Sequence, residues 1–244
     1  MSGAEIEIPR VAIEPIECFR ESWRRIVDEY WLFVGITAVG LIVGALAPLG
    51  VLLGPMQCGI YLCYLGKWRG EPVRFETLFR GFDYFVESLI AALVLMGVGL
   101  VVVVPCVLAG IAATLVLLGL GAASRQPAYV SLVVVAAIVG YVLLLLLASL
   151  IGSFFTFTFM LIVDRRLTAI EAVKRSAEAV RHNLGGMLAL SLLGVAAGLL
   201  GMCFCYVGAF LVAPITFGAI VAAYQRVFGI EGAFDAGSAG PSSA

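Results

Sequence analysis

Apolar and polar positions separate into long blocks along this chain. Apolar runs occupy 31–49, 50–66, 84–120, 129–163, 184–203 and 206–225, and the basic residues gather between and beside them. A helix rising 1.5 Å per residue crosses a hydrocarbon core of ~30 Å in about 20 residues, so four of the runs are each sized for one crossing. Runs 84–120 and 129–163 are each apolar for about twice that length. Either they form long helices, one bent at Pro105, or they hold extra half-spans or a second pair of crossings. Two long, bent spans joined by the loop GAASRQPA are the preferred reading. Both alternatives return the chain to the side it left.

Between the runs lie segments of helical periodicity. In the first, Ile16, Phe19, Trp23, Ile26, Val27 and Tyr30 share one face, with Glu17, Arg20, Glu21, Arg24 and Asp28 opposite. Phe75, Leu78, Phe79, Phe82, Phe85 and Val86 make a second stripe, with Arg74, Glu76, Arg80 and Asp83 opposite. Ile170, Val173, Ala177, Val180 and Leu184 make a third, opened by a capping box, Thr168-Ala-Ile-Glu171. Each predicts an amphipathic helix lying at the bilayer surface. The chain then reads as three units, each a surface helix followed by a membrane hairpin. Parallel repeats of this kind are related by an axis along the membrane normal.

Two of the units match in sequence. ECFRES from Glu17 pairs with EAVKRS from Glu171, placing Arg20 with Lys174 and Ser22 with Ser176. The same offset pairs Gly40-x-x-x-Gly44 with Gly194-x-x-x-Gly198. A small shift pairs Pro55-x-x-x-Gly59 with Pro214-x-x-x-Gly218, and Lys67 with Arg226.

Composition agrees with the pattern. Of 244 residues, 62% are hydrophobic and 13% charged, and the mean hydropathy is +1.10. Soluble domains carry roughly 25% charged residues, and no soluble core of this size hides so much apolar surface. The fold class expected is all-α, a polytopic transmembrane bundle of about six spans with cytoplasmic amphipathic helices before its hairpins. Residues 1–13 form an N-terminal cytoplasmic segment and 14–228 one integral membrane domain. Residues 229–244, rich in Gly, Ala and Ser, form a tail expected to be disordered.

With two, two and two crossings, 14 of the 15 Lys and Arg fall on one side. Basic flanks resist translocation, so that side and both termini are expected in the cytoplasm. Trp23, Trp31 and Trp68 would lie at the inner headgroup level. The start, MSGAEIEIPR, lacks the basic region and short apolar core of a cleavable signal, so the first run is expected to serve as an uncleaved anchor. A net charge of −1 gives no sign of a nucleic-acid partner.

The stretch GPMQCGIYLCYLGKWRGEPVRFETLFRGFDYF, and DRRLTAIEAVKRSAEAVRHN before its paired spans, resemble a class of bacterial integral membrane proteins of uncharacterised function. These are relatives of the membrane domain found beside some glycerophosphodiester phosphodiesterases. The resemblance runs from about Glu17 to Phe228, although the apolar segment between Pro105 and Ser149 is longer than that pattern. It implies the bacterial cytoplasmic membrane, multi-pass, and supplies neither a reaction nor catalytic residues.

Candidate chemistry is sparse. A charge at the bilayer centre costs ~2.5–3.5 kcal/mol on insertion scales, and the deep runs hold none. Glu87 and Asp164 sit near the inner boundary, where water is expected. His182 is the only histidine, which excludes a histidine metal cage. Cys203 and Cys205, beside Met202, would suit Cu(I) or a disulfide, or serve as small apolar residues. Ser149, Gly152, Ser153 and Thr156 make a narrow face for close helix approach, or a polar lining for a solute. Pro55, Pro105 and Pro214 are candidate helix breaks.

No set of polar side chains converges as an enzyme requires, and neither catalytic residues, cofactor nor metal is expected. The expected function is a non-catalytic accessory or scaffold protein, with membrane lipids and a protein at the cytoplasmic face as partners. The alternative is a carrier or channel for a neutral or amphipathic solute or lipid, with Ser153, Thr156 and Thr216 on its path.

Overall fold

The computed structural model describes residues 13–46, 50–124, 127–203 and 207–230. Most of the N-terminal segment and of the tail lie outside these residues, as do Arg125 and Cys205. The described chain is all-α. Helix α1 (Pro15–Ile26) leads through a 3-10 turn into α2 (Tyr30–Leu46), and α3 (Leu53–Trp68) returns. A 3-10 helix (Phe75–Tyr84) leads into α4 (Phe85–Ser124), paired with α5 (Pro127–Phe155) and its continuation α6 (Thr158–Arg165). Then come α7 (Ala169–His182) and a last hairpin of α8 (Leu184–Met202) and α9 (Val207–Phe228).

Five stretches are long and apolar enough to cross a membrane: 15–46, 75–119, 133–165, 184–202 and 207–228. The chain is therefore a polytopic membrane protein. The sixth expected crossing, α3, has 16 residues, or about 24 Å, short of a straight span. It still closes its hairpin, because Lys67 near its end meets Glu29, the last residue of the 3-10 turn before α2, across 2.9 Å. Its neighbours α2, α4, α6, α9 and the 3-10 helix shelter it, so it has little lipid to match.

Contacts between elements follow a cycle. The 3-10 helix of the second unit packs on α3 of the first; α7 of the third packs on α5 and α6 of the second; α1 of the first packs on α9 of the third. First spans follow the same rule, with α4 against α3, α8 against α5, and α2 against α9. Three parallel units thus close into a ring around a pseudo-threefold axis. Much of its centre is filled by large buried side chains of the second spans, including Tyr64, Trp68, Phe157, Met160 and Tyr224.

Each surface helix docks through one small residue. With the second and third units offset by 59 and 154 positions, Ser22, Gly81 and Ser176 are equivalent. Ser22 Oγ donates to the Ile215 carbonyl at 2.9 Å. Ser176 Oγ donates to the Phe154 carbonyl at 2.7 Å and accepts from the Phe157 N–H at 3.2 Å. Gly81 has no side chain to donate, and its backbone closes directly on Gly59 and the Pro55 carbonyl. Eight positions beyond Gly59, Phe157 and Gly218 stand Lys67, Arg165 and Arg226. Lys67 pairs with Glu29, Arg226 with Glu21 at 3.6 Å, and Arg165 donates to the Phe228 carbonyl at 3.0 Å.

Several expectations are corrected. The second surface element is a 3-10 helix, ten residues long, where runs beyond three or four residues are uncommon. Its period of three splits the expected single stripe. Leu78 and Gly81 face α3, Phe79 and Phe82 on the next face are exposed, and Arg80 and Asp83 occupy the third. The close approach at Gly59 and Gly81 accounts for the tighter winding. The run 129–163 is one long element broken at Thr156–Phe157, where Ser176 takes over the freed backbone groups. The capping box at Thr168 does not form. Thr168 Oγ1 bonds Glu171 instead, and the Ala169 N–H is taken by Glu87 from α4 at 2.6 Å. Of the three tryptophans expected at the headgroup level, Trp23 and Trp31 are exposed, whereas Trp68 is buried beneath the Arg25 guanidinium, 5.2 Å from its ring centroid.

Pro105 lies inside α4 and Pro214 inside α9, and both helices continue through them. Around Pro214, neighbouring hydroxyls serve the backbone: Tyr30 donates to Leu211, Tyr64 to Pro214 and Ser22 to Ile215. Pro55 falls in the first turn of α3, where a missing N–H costs nothing.

The second hairpin outgrows the ring. Helices α2 and α8 end at Leu46 and Met202, which correspond to Pro105 and Val107 in the repeat register. Beyond that level α4 and α5 run on for about 20 residues each, or about 30 Å. This overhang exposes Leu108, Ile111, Leu115, Ile138, Val139 and Leu143.

Candidate functional site

Two places bring chemistry together. The first is a lateral groove of about 460 Å³ at the junction of the second and third units, between α5, α8 and α9 with Phe19 of α1 at one end. Small residues hold it open. Gly152 and Gly194 line it; an added Cβ would meet nothing within 4 Å at Gly152 but would come 3.0 Å from Thr216 Cγ2 at Gly194. At the junction of the first two units, Gly54 lies against the Ser88 carbonyl and leaves no such space.

The three residues placed on a solute path all lie in this region. Thr156 and Thr216 line the groove. Ser153 is buried behind it, sharing a 2.8 Å hydrogen bond with Ser191 and donating to the Ser149 carbonyl. The hydroxyls of Thr156 and Thr216 each bond a carbonyl one turn back in their own helices, Gly152 at 3.2 Å and Val212 at 2.9 Å. That geometry satisfies a hydroxyl locally and leaves the groove surface largely apolar. Ser149 Oγ is buried there without a partner. Sequence reasoning missed Ser191, because nothing in an isolated serine of α8 points across to α5.

The second place is at the basic end of the bundle. Asp164, expected in water, has a fully buried side chain. Arg69 meets it at 2.5 Å, the Tyr224 hydroxyl donates to it at 2.8 Å, and Arg165 Nε lies 3.6 Å away. A buried carboxylate is tolerated when paired and hydrogen-bonded in this way. The cluster ties the turn after α3 to α6 and α9, a structural role. Its partners were illegible because they converge from positions 69, 164 and 224.

Glu87, Asp164 and His182 do not form a site. Glu87 holds the start of α7, whereas His182 ends that 14-residue helix, about 20 Å along it. Among the described residues no group of three or more His, Cys, Asp or Glu could hold a metal ion. Cys18, Cys58 and Cys63 are buried free thiols, and Cys106 and Cys203 are exposed ones.

Residues 74–238 match the family model described as "Domain of unknown function (DUF7847)", covering the second and third units. No curated protein matches the chain, and no solved structure does.

Proposed function

The chain belongs to the DUF7847 family, and we propose that it is a non-catalytic accessory or scaffold protein of the bacterial cytoplasmic membrane, its termini and basic end facing the cytoplasm. The observation that carries this reading is the filled axis. Carriers and channels built from repeats keep their solute site where the repeats meet. Here the place where the three second spans meet is occupied by Tyr64, Trp68, Phe157 and Tyr224, and the open groove lies to one side, at the junction of the second and third units.

The overhang of α4 and α5 supplies the docking surface. It is apolar on its exposed sides and extends past the level where the other hairpins turn, so the partner is itself a membrane protein with apolar helices. A photo-reactive residue at Leu115 or Ile138 tests this in the native membrane. One discrete adduct of constant mass, absent when the probe sits at Ile42 on the ring, supports the reading. Lipid adducts alone at all three positions contradict it.

The lateral groove favours a second reading, a carrier for a neutral or amphipathic solute or lipid. Alanine at Ser153, Thr156 and Thr216 would then abolish flux in proteoliposomes.

A further inference from the structure

A cleft of about 290 Å³ opens at the basic end between the 3-10 helix, the start of α4 and the turn joining α6 to α7. Arg80, Asp83, Tyr84, Glu87, Arg166 and Leu167 line it. Several other charges at this end are paired, as in Lys67–Glu29, Arg226–Glu21 and Arg69–Asp164. Glu87 is committed through one oxygen to the start of α7. The side chains of Arg80, Asp83 and Arg166 have no ion pair or hydrogen bond among the described residues. Two guanidinium groups and a carboxylate thus stand uncommitted around one cavity.

Arg166 is placed there at a conformational cost. It is the only non-glycine among the described residues with a positive φ, 50°. It ends α6 in the left-handed conformation, and its N–H and that of Leu167 both return to the Leu161 carbonyl. Glycine is the usual residue at such a helix end. The third face of the 3-10 helix brings Arg80 and Asp83 to the same cleft, while Phe79, Phe82 and Val86 beside them are exposed. Charged groups therefore adjoin an apolar surface, as at the boundary between headgroups and acyl chains.

We propose that this cleft binds the headgroup of a zwitterionic phospholipid, a phosphodiester carrying an ammonium group. Arg80 and Arg166 take the phosphate, for which guanidinium groups are suited in charge and geometry. Asp83 and the second oxygen of Glu87 take the ammonium. A purely anionic headgroup would bring no counter-charge to those two carboxylates. The acyl chains lie along Phe79, Phe82 and Val86. The site depends on this end lying at the bilayer surface, and not on whether the protein acts as a scaffold.

The test uses the full chain in nanodiscs of equal parts phosphatidylethanolamine and phosphatidylglycerol, released for native mass spectrometry. The wild type retains one phosphatidylethanolamine. Arg166→Gly lowers that retention about tenfold, as the loss of one charge-assisted contact predicts, and leaves thermal stability unchanged or higher because glycine suits a φ of 50°. Arg80→Gln gives the same loss through the other guanidinium, and Arg181→Gln, on exposed α7 surface, changes nothing. Preferential retention of phosphatidylglycerol overturns the proposal, as does equal loss in Arg181→Gln. Displacement of the lipid by inorganic phosphate at millimolar concentration would make this a soluble-anion site and overturn it too.

Discussion

The hydroxyl of Ser22 donates to the carbonyl of Ile215, 193 residues further along the chain, across 2.9 Å. That bond joins the first surface helix to the last span and closes the ring of three units. Its equivalent, Ser176 on Phe154 and Phe157, joins the third unit to the second. The two serines do unequal work. Replacing Ser22 by alanine removes one donor from a carbonyl in α9 and should cost about 1 kcal/mol. Replacing Ser176 leaves a buried N–H unsatisfied at a helix break and should cost about 1–3 kcal/mol. Thermal unfolding of both variants in one detergent should rank Ser176→Ala below Ser22→Ala, and both below the wild type.

Glycine substitutions should divide by sign. A Cβ at Gly81 would overlap the Pro55 carbonyl and come within 2.8 Å of Gly59 Cα, all backbone atoms that cannot swing aside. Gly81→Ala should therefore destabilise by about 1–3 kcal/mol or more. At Gly110, on the overhang, an added Cβ meets nothing within 4 Å. Gly110→Ala should be neutral or stabilising by about 0.5–1 kcal/mol, through helix propensity alone. Melting temperatures of the pair, measured together, check the opposed directions.

The Asp164 cluster yields a third expectation. Arg69→Met removes a close partner of a buried carboxylate and should cost about 3–5 kcal/mol. The double change Arg69→Met with Asp164→Leu removes both charges and should recover much of that loss, since no unpaired charge then remains buried. A double-mutant cycle in chemical denaturation measures the coupling. Additive losses would mean that the two side chains stabilise the bundle separately.

The overhang should be dispensable for folding. Its large side chains beyond Pro105 on α4 and before about Leu146 on α5, among them Leu108, Ile111, Leu115, Ile138, Val139 and Leu143, are exposed. A chain shortened between those points, with a four-residue turn, should keep the helicity of the remaining spans and a single unfolding transition. Circular dichroism and size-exclusion chromatography in detergent would check this, and an aggregated or multiply melting product would show that the ring needs the hairpin.

Much of this architecture could be read from the order of residues, because membrane crossing and surface periodicity are local properties. The six runs, the three surface segments and the Ser22–Ser176 correspondence all appear in the sequence. The 3-10 winding at Phe75–Tyr84 does not, since it follows from Gly59 and Gly81 meeting across two units. Asp164 was placed in water for the same reason: its partners Arg69 and Tyr224 arrive from distant positions. The excess length of the middle hairpin was visible as apolar residues. That it outreaches the other two hairpins needed the repeat register, which aligns Pro105 with the ends of α2 and α8. Thr156 and Thr216 line one groove, but their hydroxyls turn back to their own helices, which no sequence pattern states.

The scaffold reading stands or falls on what accompanies the protein out of its own membrane. Extraction from that membrane directly into nanodiscs, without detergent exchange, followed by native mass spectrometry of the wild type and the shortened-overhang variant, tests it most directly. A second polypeptide at fixed stoichiometry with the wild type, lost with the shortened variant, is the expected result. Bulk lipid alone with both, or a defined solute held equally by both, would contradict it and turn attention to the groove between α5, α8 and α9.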